Sequence, residues 1–263
     1  YGLAALTLAE RNPDAVMLAM AADHVVRGRT AVTRAVRTAV RVAAGSRSLV
    51  AFGLKPTFPS TALGYIHAPR PGPPGTKRVK RFIEKPDLAT AKRLLQAGGY
   101  YWNLAWFSWR IDVFLAELGR HAPRHLAGLR KVVAARAAGD EAAAKRLYAG
   151  LPVEVVDRSI LEKTDRLLLV PAEFDWADIG NWAELGDRVR ADVRGNSVEG
   201  DTVLVDTRGS LILGDRRLVA TIGLEDMIII DTEDALLVCP RSRAQDVRKV
   251  VEALRRARKT RYL

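Results

Sequence analysis

The chain has 263 residues, 48% of them hydrophobic and 27% charged, the balance of a globular protein with room for one sizeable domain and a smaller one. Disorder, collagen and coiled coil are excluded; no apolar run approaches the roughly 18 residues of a membrane-spanning helix, and no signal-peptide pattern opens the chain, so the cytoplasm is the expected compartment. The single cysteine, Cys239, rules out an internal disulfide and a thiolate metal site, and a net charge of +12 from 42 Lys and Arg against 30 Asp and Glu favours phosphate-bearing ligands.

Residues 2–8 are apolar-periodic and read as the interior of a helix whose start lies ahead of Tyr1. Ala15-Val-Met-Leu-Ala-Met20 suits a buried strand that exits through Ala21-Ala-Asp-His24. From Thr30, Val32, Ala35, Val36, Ala39, Val40 and Ala43 recur at helical spacing opposite Arg34, Arg37 and Arg41, and Ser48-Leu-Val-Ala-Phe-Gly53 reads as a second strand. Together they predict a right-handed βαβ unit with parallel strands and a ligand site beyond their C-terminal ends. Four prolines in residues 69–75 predict a flexible or polyproline-like loop that serves as a surface connection. Residues 77–83 alternate as an edge strand would, Asp87 is placed to cap a helix that Gly98-Gly99 ends, and the aromatic run 100–109 reads as a strand. Residues 111–118 and the Ala-rich stretch 126–149 read as helices, and Leu167-Leu-Leu-Val170 as a buried strand.

After Gly195, five short β runs at about ten-residue spacing predict a small all-β domain closed by an amphipathic helix with Val247, Val250, Val251 and Leu254 on its apolar face. The division is expected between 1–193 and 194–263. Because Met227-Ile-Ile-Ile230 and Ala235-Leu-Leu-Val238 are apolar on consecutive residues, both faces of those strands are expected to be covered, one of them by the closing helix. The basic run 241–263 reads as a solvated helix face and chain end.

Four groups could carry chemistry. Asp23 lies at a strand exit, where a carboxylate can hold a hard cation that keeps phosphate oxygens and waters as its other ligands; a turn or cap role is the plainer alternative. Asp178, in Phe174-Asp-Trp-Ala-Asp-Ile-Gly-Asn-Trp182, precedes a helix, with Gly180 permitting close backbone approach and Trp176 and Trp182 as packing supports. In Phe82-Ile-Glu-Lys-Pro86, Glu84 and Lys85 point apart if extended, unless a turn before Pro86 swings both into a pocket, where a carboxylate could read sugar hydroxyls and an ammonium a phosphate. Asn103, the lone amide in an aromatic run, needs partners that ligand hydroxyls could supply.

In this order, Ala22-Asp-His24, Phe82-Ile-Glu-Lys-Pro86, Tyr101-Trp-Asn103, Asp157 with Leu161-Glu-Lys-Thr164, and Trp176-Ala-Asp-Ile-Gly-Asn-Trp182 followed by Gly195-Asn196 resemble the motifs of mannose-1-phosphate guanylyltransferases over nearly the whole chain. The resemblance implies an α/β fold of the nucleotide-diphospho-sugar transferase type, a Rossmann-like, mostly parallel sheet flanked by helices, with a small C-terminal β domain. It implies GTP and mannose 1-phosphate as substrates, GDP-mannose and pyrophosphate as products, and Mg2+ as cofactor. By motif match Asp23 and Asp178 would hold the metal, Glu84 and Asn103 read mannose hydroxyls, Lys85 contact the sugar phosphate, Gly64 approach the sugar through its backbone, and Asp157 and Lys163 line the same side. Nucleic acid and membrane are not expected partners, and a homodimer through the C-terminal domain is left open.

The sequence departs from that pattern in three ways. Relatives begin with a Gly-rich loop that cradles the triphosphate; none precedes Tyr1, so the 263 residues are expected to be inactive alone. Ser60, Ala62 and Leu63 stand where Glu, Gly and Tyr are usual, Leu104-Ala105 where Ser-Gly is usual, and Val155 where Ser is usual. A degenerate homologue without catalysis, which binds a sugar nucleotide or regulates a partner subunit, is the alternative reading.

Overall fold

The structure is a computed structural model that describes residues 1–262; Leu263, last of the basic run, lies outside the described residues. In chain order the first part contains α1 (Gly2–Ala9), β1 (Val16–Ala19), β2 (His24–Arg27), α2 (Arg29–Gly45), β3 (Leu49–Leu54), β4 (Tyr65–His67), β5 (Arg70–Pro71), β6 (Lys77–Arg78), β7 (Arg81–Ile83), α3 (Leu88–Ala97), β8 (Tyr100–Arg110), α4 (Ile111–His121), α5 (Pro123–Ala137), α6 (Glu141–Ala149), β9 (Leu167–Ala172) and β10 (Asp175–Asp178). Two compact units result, Tyr1–Ala22 with Val26–Trp176, and Asp23–Val25 with the chain from Ala177 on.

An eight-stranded sheet in the order β5-β6-β9-β3-β8-β4-β7, with β1 also on β8, organises the first unit. Period-two alternation sends successive residues to opposite faces. Leu49, Ala51, Leu167 and Leu169 join Phe107 and Trp109 against α4 and α5, whereas Val50, Phe52, Leu168 and Val170 join Trp106 and the Ala35, Ala39, Val42 and Ala43 stripe of α2. The α/β architecture agrees with the sequence, but the sheet is mixed rather than mostly parallel. Only β3 and β9 pair in parallel, and β8 runs antiparallel to β1, β3 and β4. The strands expected to flank α2, β1 and β3, therefore share a direction but have β8 between them.

Local chemistry places most boundaries. Asp87 accepts the Thr90 N–H at 2.7 Å to start α3, and Gly98 ends it with φ of 67°. Gly139, at φ 78°, separates α5 from α6 within the Ala-rich stretch. The proline segment, expected to be a flexible or polyproline-like loop, is an ordered hairpin: β5 pairs with β6, β6 pairs with β9, and the Thr76 N–H and hydroxyl both donate to Pro73 O. The edge strand expected over 77–83 is correspondingly split into β6 and β7.

The second unit adds α7 (Trp182–Gly186), β11 (Ser197–Glu199), β12 (Thr202–Val205), β13 (Leu211–Leu213), β14 (Val219–Ile222), β15 (Met227–Asp231), β16 (Leu236–Pro240), a 3-10 turn (Arg241–Asp246) and α8 (Val247–Arg256). Its β runs form a parallel coil: β11, β13 and β15 stack on one wall, with Ser197 opposite Leu211 and Leu211 opposite Ile228, and β12 and β14 stack on another. Asn196, 1% exposed, ties successive rungs by donating to Thr207 O and accepting from Ser210 N, and the Thr207 and Thr221 hydroxyls bond at 2.8 Å. Compact packing begins at Ala177, ahead of the 1–193 and 194–263 division read from the sequence, because α7 belongs to this coil. Trp182 and Ala183 pack on Leu211 and Ile228, and Ser197 Oγ donates to Gly186 O. Met227-Ile-Ile-Ile230 is covered as expected, but Leu236 and Val238 of β16 stay more than half exposed. The closing helix covers the coil only in part: Val247, Val251 and Leu254 of α8 are half-buried and none of its residues is fully buried, and Ala244 of the preceding 3-10 turn is what enters the core.

Candidate functional site

Asn103 is aimed by an irregularity in β8. Between the pairs Ala51–Phe107 and Gly53–Asn103, β3 advances two residues while β8 advances four. The extra residues form a bulge, the device by which a strand re-aims a side chain. Within it Ala105 has a left-handed backbone, φ 53°, and its N–H donates to Asn103 Oδ1 at 3.1 Å. The Asn103 Nδ2 in turn donates to Asp157 Oδ1 at 2.9 Å, so a buried amide expected to need partners finds two inside the protein.

Glu84 and Gly64 meet at the same place. A Cβ on Gly64 would lie 2.5 Å from Glu84 Oε2 and 3.4 Å from Asn103 Cβ, so only glycine leaves that carboxylate where it is. Gly64 O also accepts the Asn103 N–H at 2.8 Å. Lys85 turns into the left-handed region, φ 46°, and its Nζ lies 3.7 Å from Glu84 Oε1. The turn before Pro86 thus brings both side chains to one side, one of the two geometries the sequence allows.

Asp157 opens a π-helical turn, Asp157–Leu161, an arrangement concentrated at functional sites. Burial raises the Asp157 carboxyl above the ordinary range, while its hydrogen bonds and Lys85 pull the other way. Glu84 is raised as well, first by burial and then by Asp157, against the lowering charges of Lys85 and Arg158. The result is a half-buried group of carboxylates rimmed by cations, able to accept from several hydroxyls while a phosphate meets the ammonium.

Sequence reasoning missed three members of this group. Glu162 Oε1 accepts the Glu84 N–H at 3.2 Å across 78 positions, and Arg158 contributes positive charge. Tyr1 stands edge-on to Phe107 and Trp109, and burial, followed by the Asp157 charge, raises its phenol. No short motif signals contacts of that range. Lys163, expected to line the pocket, is exposed on the turn that carries Glu162.

In the second unit, Asp23 is exposed in a bend between β1 and β2, and Asp178 ends β10, the partner of β2 in a two-stranded ribbon. His24 Nε2 lies 4.0 Å from Asp178 Oδ1, the imidazole 6% and the carboxylate side chain 46% exposed. The following loop is held by reciprocal capping: Asn181 Oδ1 accepts from Ala183 and Glu184 N–H groups, and Glu184 accepts from Gly180 N and Asn181 Nδ2. Gly180 is not sterically required, since a Cβ there would meet Glu184 Oε2 at an ordinary 3.5 Å. Trp176 and Trp182 are packing residues, each within an apolar cluster. Among the described residues no three His, Cys, Asp or Glu side chains converge as a metal cage. Two accessible carboxylates nevertheless fit a hard cation of the magnesium kind, which takes one or two carboxylates and completes its shell with substrate phosphates and water.

The sequence pattern of the nucleotidyl transferase family matches residues 3–194, nearly three quarters of the chain. The chain belongs to that family. A second pattern, the mannose-phosphate isomerase/GMP-like β-helix domain, matches residues 200–254, the parallel coil. The chain is 36% identical over 265 residues to a mannose-1-phosphate guanylyltransferase of Escherichia coli, covering 99% of this chain and 56% of the relative. It is 36% identical over 257 residues to the xanthan biosynthesis protein XanB of Xanthomonas campestris pv. campestris strain B100, covering 97% and 54%. A solved structure described as a mannose-1-phosphate geranyltransferase from Thermus thermophilus superposes with a TM-score of 0.81 at 33% identity, covering 97% of this chain and 73% of that one. The chain spans about half the length of the sequence relatives.

Proposed function

We propose that this nucleotidyl transferase chain joins mannose 1-phosphate to the guanylyl group of GTP, giving GDP-mannose and pyrophosphate. The observation that carries the reading is the convergence of Gly64, Glu84, Lys85, Asn103 and Asp157 in one cluster of acceptors and a cation, joined to about 36% identity with a protein named for that reaction. Glu84 and Asp157 would accept from sugar hydroxyls, Asn103 would present its amide beside them, Lys85 would meet the sugar phosphate, and Lys163, on the turn that carries Glu162, would line the side that Asp157 lines. Asp23 and Asp178 would hold a divalent cation, Mg2+ by preference, which when bound supplies charge neutralisation for the triphosphate.

A phosphate oxygen of mannose 1-phosphate forms the new bond to the α-phosphorus of GTP, and the bond to the β-phosphate bridging oxygen breaks, releasing pyrophosphate. The attacking oxygen is already an anion, so no side chain need remove a proton. Positioning and electrostatic stabilisation are the protein's contribution. The cytoplasm is the proposed compartment, where both substrates are available; no helix among the described residues is long and apolar enough to cross a membrane. A second copy of the chain is the proposed partner of the exposed apolar β16 residues Leu236 and Val238.

Calorimetric titration with mannose 1-phosphate tests the sugar site directly. Saturable binding that Asn103→Ala weakens at least tenfold is expected; no saturable binding by the wild-type chain would refute the sugar assignment. Mn2+ titration followed by electron spin resonance, with Asp178→Asn as the weakened variant, tests the metal assignment separately.

A further inference from the structure

α2 carries four arginines, Arg29, Arg34, Arg37 and Arg41, along one face that borders a shallow, open depression of about 620 Å³. Thr30, Thr33 and Thr38 lie among them, so the face offers guanidinium and hydroxyl donors and no aromatic surface. The helix contains no Asp or Glu in 17 residues, and none of the four arginines pairs with a carboxylate among the described residues. Arg41 is oriented by its bond to Pro74 O at 3.0 Å, and the Pro74-Gly75 turn packs against Thr38.

This arrangement opposes the helix's own electrostatics. Arg34 and Arg37, and Arg37 and Arg41, stand three and four residues apart, spacings at which like charges destabilise a helix. Arg29 opens the helix at the positive end of its dipole, with no acidic residue in the first turn and no side-chain cap on the Gly28 side. Burial of the Ala35, Ala39, Val42 and Ala43 stripe holds α2 in place regardless, so the exposed face is free to concentrate positive charge. An extended anion laid along this face would relieve the repulsion, and arginine forks match phosphate oxygens pairwise.

We infer that the arginine face of α2 is a binding surface for a chain of phosphate groups, read through charge and hydroxyl donors without contact to bases. The inference is independent of the proposed transferase chemistry. Two sources offer that ligand, inorganic polyphosphate and the backbone of a single nucleic-acid strand. The lack of aromatic lining favours polyphosphate, because single-strand binders draw much of their affinity from base stacking.

The test is fluorescence anisotropy of the 263-residue chain with labelled polyphosphate, oligo(dT) and an abasic oligonucleotide of equal length, over a range of salt. Four contacts at about 0.7 counterions each predict a log–log salt slope near −2.8 for the oligonucleotides, or about a 50-fold loss of affinity from 50 to 200 mM salt. Arg34→Gln with Arg37→Gln should halve the slope, leaving about a sevenfold loss. Both residues are exposed, and circular dichroism checks that the variant folds. Arg255→Gln with Arg256→Gln in α8 removes the same charge elsewhere and should leave the slope unchanged. Equal binding of oligo(dT) and the abasic strand supports the inferred surface, and tighter polyphosphate binding identifies the source. Absence of binding at 50 mM salt, a preference for oligo(dT) over the abasic strand, or a slope that responds to α8 and not to α2 would each overturn the inference.

Discussion

Replacing Ala105 by glycine tests whether the bulge that aims Asn103 is strained. At φ 53°, an L-residue costs about 1–2 kcal/mol relative to the right-handed regions, a cost glycine escapes. Against that, glycine loses about 0.5–1 kcal/mol of extra chain entropy on folding. The half-buried Ala105 methyl, packed on the sheet core, contributes about 0.4 kcal/mol, half the value of a buried methylene. The balance runs from about 0.4 kcal/mol destabilising to about 1 kcal/mol stabilising. In ordinary extended strand, the same substitution would cost about 1–1.4 kcal/mol, so the two readings are well separated. Four of the five tryptophans, Trp102, Trp106, Trp109 and Trp176, lie in the first unit, so urea unfolding followed by tryptophan fluorescence reports mainly on it. A loss of about 1 kcal/mol or more in Ala105→Gly would refute the strain argument.

Gly64→Ala should lower mannose 1-phosphate affinity at least tenfold in calorimetry, because its Cβ would stand 2.5 Å from Glu84 Oε2 and displace that carboxylate. Burial raises the folded-state carboxyls of Asp157 and Glu84, so their contribution to stability is complete below the ordinary carboxylate range and is lost as pH rises through the raised values. Asp157→Asn keeps an acceptor for Asn103 Nδ2 and removes the buried charge; thermal melts across pH should show a smaller decline than wild type and a higher midpoint at neutral pH, and an unchanged profile would count against the burial argument. Asn181→Ala should destabilise the second unit by about 1 kcal/mol, since Asn181 Oδ1 caps two N–H groups of α7; the Trp182 indole resonance during denaturant titration measures it.

Periodicity makes most elements legible because burial on a two-sided sheet leaves a direct imprint: Leu49 to Leu54 and Leu167 to Val170 are apolar throughout and divide between two faces. Strand direction leaves no such imprint. The aromatic run of β8 announces a buried strand, and nothing in it distinguishes a parallel neighbour from an antiparallel one, which is why the mixed sheet is hidden from the sequence. Likewise the ten-residue spacing after Gly195 announces short strands, but rungs such as Ser197, Leu211 and Ile228 pair across 14 to 17 positions, a partnership set by the buried Asn196 and the Thr207–Thr221 ladder. The α8 stripe is amphipathic, but amphipathicity names a face and not what covers it. In the candidate sugar site, Glu84 and Asn103 are legible as polar residues inside apolar surroundings, whereas Glu162 acts through a backbone N–H far away in sequence and carries no mark of its own.

Within the first unit, departures from local backbone preference gather at the candidate sugar site. Among the described residues five non-glycine residues have positive φ; Lys85 and Ala105, the two in the first unit, both belong to the Glu84–Asn103–Asp157 cluster, and Asp206, Asp226 and Arg258 lie in the second unit. A π turn opens at the third member, and two of its carboxyls are raised by burial. Each departure costs stability, of order 1–3 kcal/mol for a strained backbone, and persists only where surrounding structure over-determines it. Here the β3–β8 ladder on one side and the Glu162 bond to Glu84 N on the other supply that constraint. Sequences otherwise consistent across levels break local rules chiefly where a ligand is met. Asp23 and Asp178, by contrast, stand at exposed strand ends with ordinary backbone, as suits groups whose proposed task is to meet a mobile ion and the phosphates it carries rather than to hold a sugar in one orientation.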